Sequence, residues 1–367
     1  MKTFPEGNAI VYCEGAFAST YGKTAHGLVR FTERYRILSV VDSGLAGEDA
    51  GRVLDGKANG IPVVSSLSEA LQRAGETGVA ATHLVIGLAT DGGALDPHAR
   101  QAVLEAVHAG LNVDCGLHTF LTEDPDLADV ARTRGVCLRD VRKPPPVDRL
   151  HFFSGKIEAV EALKIAVLGT DSAVGKRTTA WLIVHEFRRR GVAAELVGTG
   201  QTAWLQGVRY GLILDSLIND FVSGEIEHAV WSAWKEAAPS VIVIEGQGSL
   251  MNPAYPGGFE ILAAGRPDVV VLQHAPARKD YDGFPGYPVH PLPRQIAVIE
   301  MLSDKPVCAV TVHHEGLAPD QVPAVCRSIE KEAGRPAFDV LLDGAGPLVD
   351  LLGGLRSEQK RSRHHGG

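Results

Sequence analysis

Aromatic residues, paired cysteines and long apolar runs are all scarce in this chain of 367 residues. Phe, Trp and Tyr make up 6% of it, which argues against the base-stacking platforms of nucleic-acid binders. The five cysteines form no Cys-x-x-Cys pair, so we expect reduced thiols in a cytoplasmic protein and neither a metal site nor a disulfide framework. No apolar run approaches the ~18 residues that span a bilayer, and the first residues do not resemble a signal peptide, so we expect no membrane partner.

The charge balance and length narrow the protein class further. The formal net charge is −8, so a nucleic-acid-binding surface is not expected. The chain is 45% hydrophobic and 22% charged, which is typical of globular proteins, and it is long enough for two domains with separate cores. These observations favour a small-molecule substrate, and we expect the protein to form a homo-oligomer.

Apolar β-branched runs alternate with helical patterns along the first half of the chain, which predicts a parallel sheet with crossover helices. The predicted strands are Ala9–Tyr12, Ile37–Val41, Pro62–Val64, Thr82–Ile86 and Leu111–Asp114. The predicted helices are Leu67–Gly75, Asp96–Ala109 and Asp126–Arg134. No Gly-x-Gly-x-x-Gly follows the first strand, which counts against a nicotinamide dinucleotide.

Three consecutive prolines at 144–146 interrupt this alternation, and prolines in series form a stiff linker. The sequence therefore predicts a Rossmann-like domain at 1–143, a linker at 144–151, a P-loop domain at 152–355 and a disordered polar tail at 356–367. The predicted strands of the second domain are Ile165–Leu168, Ala194–Gly198, Val241–Glu245, Val269–Gln273 and Val307–Val312. Its predicted helices are Lys176–Arg190, Glu225–Ala238, Pro293–Leu302 and Gln321–Gly334. The fold class is therefore α/β, with a parallel sheet in each domain.

The start of the second domain carries the most specific motif of the chain. An apolar run at Ile165–Leu168 is followed by the small-residue loop Gly169–Gly175, and a helical pattern begins at Lys176. Loop amides and a helix N-terminus point at an anion in this arrangement, and the Lys adds a full positive charge. The motif predicts a site for a phosphorylated small molecule.

Two positions depart from the standard P-loop. Gly is expected six residues before the Lys, but that position is Thr170, with Gly169 just ahead of it. The residue after the Lys is expected to be a Ser or Thr that holds Mg²⁺, but here it is Arg177, and Thr178 lies about 100° further around the helix. The substitution disfavours Mg²⁺ coordination and strengthens anion binding with a second cation.

A second group of chemical residues follows a neighbouring strand. Val241–Glu245 ends in a carboxylate and continues into the loop Gly246-Gln-Gly-Ser249. Because ligands bind at the carboxyl ends of strands in open α/β sheets, we expect Glu245 near the phosphate loop, where it could hold a metal, orient an ammonium or act as a base. The stretch Gly198-Thr-Gly-Gln-Thr202 adds amides at the same edge. Asp220, which precedes a predicted helix, could face either this site or solvent.

The motifs resemble two known families. Gly169-Thr-Asp-Ser-Ala-Val-Gly-Lys176 and Glu245-Gly-Gln-Gly248 resemble segments of dethiobiotin synthetase, an ATP- and Mg²⁺-dependent enzyme with Thr after the Lys. Over residues 8–350 the chain is more specifically similar to a family that pairs a Rossmann-like domain with such a P-loop domain, whose members are assigned as D-glutamate N-acetyltransferases. The supporting segments also include Gly22-Lys-Thr-Ala-His-Gly27, Gly116-Leu-His118, Asp140-Val-Arg142, Gly198-Thr-Gly-Gln-Thr202 and His274.

The resemblance implies acetyl-CoA as donor and an acidic D-amino acid, D-glutamate, as acceptor. Glu245 is then the first candidate for the base, with Asp220 and His274 as further candidates. The residues expected to bind the coenzyme are Gly169, Thr170, Asp171, Ser172, Ala173, Val174, Gly175, Lys176, Arg177, Thr178, Gly200 and Gln201. Those expected to bind the acceptor are Lys23, His118, Arg142, Gln247 and Arg278.

Two other functions stay open at this point. One is an ATP- and Mg²⁺-dependent ligase or kinase, which Arg177 disfavours but Thr178 could rescue. The other is a non-enzymatic, nucleotide-binding regulator. Mg²⁺ dependence separates the ligase from the acetyltransferase, and turnover of an acyl donor separates the enzyme from the regulator.

Overall fold

The computed structural model describes residues 5–365, without the side chains of residues 91 and 358–365. Positions 1–4, 366 and 367, which the sequence analysis assigned to the first domain and to the tail, lie outside the described residues. The chain divides into two compact units. The first runs up to Pro145 and also contains Gln201–Val208, and the second contains Pro146–Gly200 and the chain from Arg209 onward.

The first unit is built on a parallel sheet. Six strands of its described part lie in the order β3-β2-β1-β4-β5-β6, and all pair in parallel. The strands are β1 Gly7–Tyr12, β2 Tyr35–Val41, β3 Val63–Val64, β4 His83–Ile86, β5 Asn112–Cys115 and β6 Leu138–Asp140. This order is that of a Rossmann fold. The strands are added on one side of β1 up to β3 and on the other side from β4 onward, which leaves a crevice at the carboxyl ends of β1 and β4.

The helices of this unit begin and end where local chemistry dictates. They are α1 Lys23–Arg30, α2 Ala50–Asp55, α3 Leu67–Glu76, α4 Pro97–His108 and α5 Pro125–Arg134. Asp96 and Asp124 cap α4 and α5 by accepting hydrogen bonds from first-turn amides, and each helix starts with Pro. Gly135 closes α5 in the left-handed conformation. Because these signals are local, the sequence located α3, α4 and α5 closely.

The second unit carries a larger parallel sheet. Its described part has seven strands in the order β13-β12-β11-β7-β10-β8-β9. They are β7 Leu163–Gly169, β8 Ala194–Gly198, β9 Tyr210–Gly211, β10 Val241–Glu245, β11 Val269–His274, β12 Val307–Val312 and β13 Ala337–Phe338. Every residue of β7 is buried, and β10 and β11 flank it, so the loops after these three strands meet at one edge. The α/β fold class with a parallel sheet in each half is confirmed.

The remaining helices follow in chain order as α6 Lys176–Arg189, α7 Gln201–Leu205, α8 Asn219–Ala237, α9 Phe259–Gly265, α10 Leu292–Ser303, α11 Val322–Ala333 and α12 Gly346–His365. Helix α7 belongs to the first unit, where Leu205 lies in the core. No helix among residues 5–365 is both long enough and apolar enough to cross a membrane.

Helix α8 begins at Asn219, six residues before the predicted start at Glu225. Gly224, a poor helix former, made the first turns hard to read from sequence. The structure explains this Gly, because a Cβ on it would lie 1.9 Å from the carbonyl oxygen of His151. The Gly is required by the close approach of segment 151–152 to the helix.

The C-terminal segment also differs from the prediction of disorder for 356–367, because α12 continues to His365. Its Arg, Lys, Glu and Gln residues are good helix formers, so a polar composition does not prevent the helix from continuing once its start is packed. That start is buried at Leu348 and Leu352.

Candidate functional site

The loop between β7 and α6 turns through two residues with left-handed backbone angles. Ala173 and Gly175 adopt left-handed backbone angles, with φ of +50° and +97°. Residues in such a turn direct successive amides toward one point, which is how phosphate loops bind anions. A Cβ on Gly169 would lie 2.9 Å from the Cδ and Nζ atoms of Lys176, so a larger residue there would displace the Lys side chain. The role of residues 169–178 in binding a phosphorylated ligand stays a prediction.

The ammonium group of Lys176 lies across this loop. The residue is only 8% exposed, and its Nζ donates to the carbonyl oxygen of Asp171 at 2.7 Å and of Gly248 at 2.8 Å. These two bonds to carbonyl oxygens hold the ammonium group in place over the loop. Gly248 follows β10, so the Lys also joins the loops after β7 and β10.

Asp171 organises the loop. Its carboxylate is 1% exposed and accepts hydrogen bonds from the amide of Ser172 at 2.7 Å, from Asn252 Nδ2 at 2.8 Å, from Arg278 Nη1 at 2.9 Å and from the amide of Asp282 at 2.9 Å. The negative charge inside the phosphate loop is therefore compensated by Arg278. Asp171 ties the loop to the segments after β10 and β11.

Arg278, which the sequence assigned to acceptor binding, is engaged in holding the phosphate loop. Besides Asp171, its guanidinium donates to the carbonyl oxygens of Ser172 at 2.8 Å and Ala173 at 3.4 Å and to Glu315 at 2.7 Å. Burial opposes the charge, but the bonds to Glu315 and Asp171 outweigh it and raise the pKa of Arg278. These contacts are all with groups of the protein itself, and the acceptor-binding role of Arg278 stays a prediction.

Gln273, a polar residue near the end of β11, connects the loop to the rest of the sheet. Its side-chain oxygen accepts from Thr179 at 2.5 Å and Thr311 at 2.6 Å, and its backbone oxygen accepts from the amide of Thr170 at 2.9 Å. Thr179 is the buried hydroxyl of this helix start, while Thr178 is half-buried. A Gln inside an otherwise apolar strand was the available signal, and the sequence analysis did not use it.

Glu245 ends β10 as a buried carboxylate, as predicted. Its Oε2 accepts from the amide of Thr199 at 2.9 Å, and the Thr199 hydroxyl donates to the Glu245 backbone oxygen at 2.9 Å. Burial raises the pKa of Glu245, against the opposing effects of the Arg177 charge, the Thr199 amide and the Lys176 charge. Desolvation therefore favours proton uptake by this carboxylate, and the two nearby cations oppose it.

Gln247 and Gly200 lie beside this carboxylate. Gln247 Nε2 donates to Thr199 Oγ1 at 2.9 Å, and a Cβ on Gly200 would lie 2.9 Å from the same Nε2 atom. Thr199 therefore connects Glu245, at the end of β10, to the side-chain amide of Gln247. The sequence signal for Thr199 is only its place in the segment Gly198-Thr-Gly-Gln-Thr202.

The two other predicted bases differ in their surroundings. His274 ends β11, and its Nδ1 lies 2.9 Å from the hydroxyl of Thr170, inside the phosphate loop. Burial lowers the pKa of His274 to about 4, so its ring is neutral at pH 7. Asp220, by contrast, is exposed in the first turn of α8. Burial therefore makes His274 a weaker proton acceptor than a free imidazole and Glu245 a stronger one than a free carboxylate, whereas Asp220 is exposed.

The predicted residues of the first unit form a group of their own at the carboxyl edge of its sheet. Arg142 Nε donates to the carbonyl oxygen of Gly116 at 2.6 Å, and the backbone amide of His118 donates to Gly93 at 2.7 Å. Gln201, predicted to bind the coenzyme, is buried in this unit, and a Cβ on Gly116 would lie 2.9 Å from its Cγ. The exposed Lys23 begins α1.

The fold and the site together define a class, that of α/β proteins with a Rossmann-like first domain and a P-loop second domain. The family described as "Domain of unknown function (DUF1611_C) P-loop domain" matches residues 151–349. The family described as "Domain of unknown function (DUF1611_N) Rossmann-like domain" matches residues 43–144. The chain belongs to the DUF1611 family.

Two curated relatives carry the name D-glutamate N-acetyltransferase. The protein from Tritonibacter scottomollicae is 33% identical over 286 residues, which is 73% of this chain and 80% of the relative. The protein from a Pseudoalteromonas species is 29% identical over 279 residues, again 73% of this chain and 80% of the relative. The resemblance seen in the sequence motifs is confirmed, and these relatives support an enzyme.

A solved structure is also similar over nearly the full length. The crystal structure of a DUF1611 family protein from Anabaena variabilis ATCC 29413 has 28% sequence identity and a TM-score of 0.86, and the match covers 94% of this chain and 98% of that one.

Proposed function

We propose that the protein is an N-acetyltransferase that moves the acetyl group of acetyl-CoA to the amine of an acidic D-amino acid, with D-glutamate as the preferred acceptor. The single observation that carries this proposal is a phosphate loop with Arg177 in place of the metal-binding hydroxyl, next to the buried carboxylate of Glu245. The names of the two curated relatives support the same activity.

Coenzyme A suits this phosphate loop as a donor. It presents a pyrophosphate, which loop amides can bind without a metal ion, and Lys176 and Arg177 supply two positive charges beside the loop. Asp171 does not repel the phosphates because Arg278 compensates its charge at 2.9 Å. ATP in phosphoryl-transfer enzymes, in contrast, reacts as a Mg²⁺ complex, for which the standard loop provides a hydroxyl.

Acetyl transfer requires a neutral attacking amine. The acceptor ammonium gives a proton to Glu245, whose pKa burial has raised toward the working range of a base. The amine nitrogen then attacks the thioester carbonyl, a C–N bond forms, and the C–S bond breaks. The attacking nitrogen releases its second proton to solvent as the amide forms, and the proton on Glu245 passes to the departing coenzyme A thiolate, so the carboxylate is regenerated. The oxyanion that forms between these two steps requires hydrogen-bond donors other than the amides that bind the pyrophosphate.

We propose fewer acceptor-binding residues than the sequence analysis predicted. Gln247 is half-buried and bonded to Thr199 next to Glu245, so its amide is placed to contact an acceptor bound at that carboxylate. Arg278 is assigned to the phosphate loop instead. The acceptor-binding roles of Lys23 and Arg142 stay predictions.

Calorimetric titration of the purified protein with acetyl-CoA and with ATP, each with and without Mg²⁺, tests the donor. We expect binding of acetyl-CoA that is independent of Mg²⁺ and no binding of ATP. Binding of ATP only with Mg²⁺, together with no binding of acetyl-CoA, would replace the proposal with a ligase or kinase.

Release of coenzyme A thiol, followed with a colorimetric thiol reagent, tests the reaction and its acceptor. We expect turnover with D-glutamate to exceed that with L-glutamate and with D-alanine, and Glu245→Gln to abolish most of it. The matched control is Glu332→Gln, which makes the same change at an exposed glutamate of α11 and should leave the rate unchanged. Equal loss in both variants, or no turnover with any acidic amino acid, would contradict the proposal.

A further inference from the structure

An apolar cavity of about 500 Å³ lies in the second unit beside the phosphate loop and has no role in the chemistry described above. Its walls come from the loop after β10, with Met251 and Pro253, and from the segment 281–291 after β11. Tyr281, Tyr287, Pro288 and Pro291 are among the residues of this segment that line it. The volume falls in the range of sites for small ligands, which are about 300–1,000 Å³.

The segment that lines the cavity contacts the phosphate loop through Asp282. The amide of Asp282 donates to Asp171 Oδ2 at 2.9 Å, and the hydroxyl of Ser172 lies 3.4 Å from Asp282 Oδ2. Tyr281, the preceding residue, is buried and lines the cavity. The segment that lines the cavity is therefore bonded to the phosphate loop at the residue that follows Tyr281.

The wall formed by segment 281–291 is held by its own hydrogen bonds. The hydroxyl of Tyr281 lies 2.8 Å from His290 Nδ1, and the amide of Tyr281 donates to the carbonyl oxygen of Tyr287 at 2.9 Å. The amide of Val289 donates to Lys279 at 2.9 Å, which closes the segment at its base. The cavity is therefore built before any ligand arrives.

We propose that this cavity holds the pantetheine arm of the acyl-CoA donor, an inference that rests on the proposed function. The arm is uncharged and leaves the pyrophosphate directly, which matches an apolar wall that adjoins the phosphate loop. The adenosine half carries a 3′-phosphate, which needs cations. No Lys or Arg is found among the described side chains that line the cavity, and the carboxylates of Asp280 and Asp282 belong to the same segment.

The test compares Tyr287→Ala with the wild type in calorimetry. The Tyr287 side chain is 57% exposed, so its removal should leave the fold intact while it deletes one wall of the cavity. The probes are acetyl-CoA, 4′-phosphopantetheine and adenosine 3′,5′-bisphosphate. The matched control is Phe152→Ala, which removes another aromatic ring of the second unit, 66% exposed and outside the cavity.

We expect Tyr287→Ala to weaken acetyl-CoA and 4′-phosphopantetheine about tenfold, or about 1.4 kcal/mol, and adenosine 3′,5′-bisphosphate less than about twofold. Phe152→Ala should change none of them. If Tyr287→Ala weakens the adenosine probe as much as acetyl-CoA, the cavity holds the other half of the coenzyme and the inference is overturned. Unchanged affinity for all three probes overturns it as well, while the proposed function survives. Absence of acetyl-CoA binding by the wild type itself overturns both.

Discussion

Replacement of Asp171 tests whether the phosphate loop is held by a neutralised buried carboxylate. In Asp171→Ala the amides of Ser172 and Asp282 and the side chain of Asn252 lose their acceptor, and Arg278 loses one of its two carboxylate partners. Breaking a buried ion pair costs about 3–5 kcal/mol, and we expect the lower end, because Arg278 keeps Glu315. The expected loss of unfolding free energy is therefore about 3 kcal/mol.

This loss should be visible in thermal unfolding. One kcal/mol shifts the midpoint by about 2–4 °C in a domain of 150–250 residues, so we expect the transition of the second unit to fall by about 6–12 °C. Asp171→Asn keeps one acceptor oxygen and the shape of the side chain, so its loss should be less than half as large. Glu332→Ala, an exposed carboxylate, serves as the control with a shift below about 2 °C.

The same variant distinguishes support of the loop from repulsion of the ligand. If Arg278 compensates the charge of Asp171, its removal should weaken acetyl-CoA binding, since the loop loses its shape. Calorimetry at constant ionic strength measures this. An increase in affinity, or a midpoint within about 2 °C of the wild type, would refute the reasoning.

Four further predictions concern the positive charge of Lys176 and the two buried titratable groups, Glu245 and His274. Lys176→Ala should weaken acetyl-CoA at least about tenfold in calorimetry, because a charge-assisted bond to phosphate is lost, and unchanged affinity would remove the phosphate-binding assignment. Glu245→Gln should lower kcat at least about a hundredfold with the dissociation constant of acetyl-CoA nearly unchanged. Because burial raises the folded-state pKa of Glu245, the wild type loses stability as the pH rises through that pKa, so the Gln variant should gain stability relative to it in melts at pH 8 compared with pH 4. The pKa of His274 is about 4 in the folded protein against an ordinary value of 6.5, so stability should fall as the pH drops from about 6.5 to about 4, and a His274→Gln variant with the same slope in that window would contradict its burial.

Local chemistry explains why much of the fold could be predicted. The strand β7, the loop 169–175 and the start of α6 are encoded within sixteen consecutive residues, as an apolar run, a run of small residues and a Lys. Caps such as Asp96 and Asp124 act on amides two or three residues away, and they marked helix starts. Because α/β sheets bring strand ends to one edge, the position of Glu245 near Lys176 also followed from its place at the end of β10.

Contacts between distant segments explain what could not be predicted. The residues next to Asp171 in sequence do not predict its partners Asn252 and Arg278, which lie 81 and 107 positions away. Arg278 was therefore assigned to a substrate, since an unpaired Arg beside a ligand loop and one bonded to that loop have the same local sequence. Helix α7 and its Gln201 likewise follow a strand of the second unit but are packed in the first.

The sequence by itself determined the α/β class, the phosphate loop with its basic Arg177, and the acid at the end of β10, because each depends on residues that are neighbours along the chain. Only the tertiary structure decided that the charge of Asp171 is compensated, that Lys176 lies across the loop on two carbonyl oxygens, and that an apolar cavity opens beside them. These features depend on loops that follow three different strands, and the packing of the sheet alone brings those loops together.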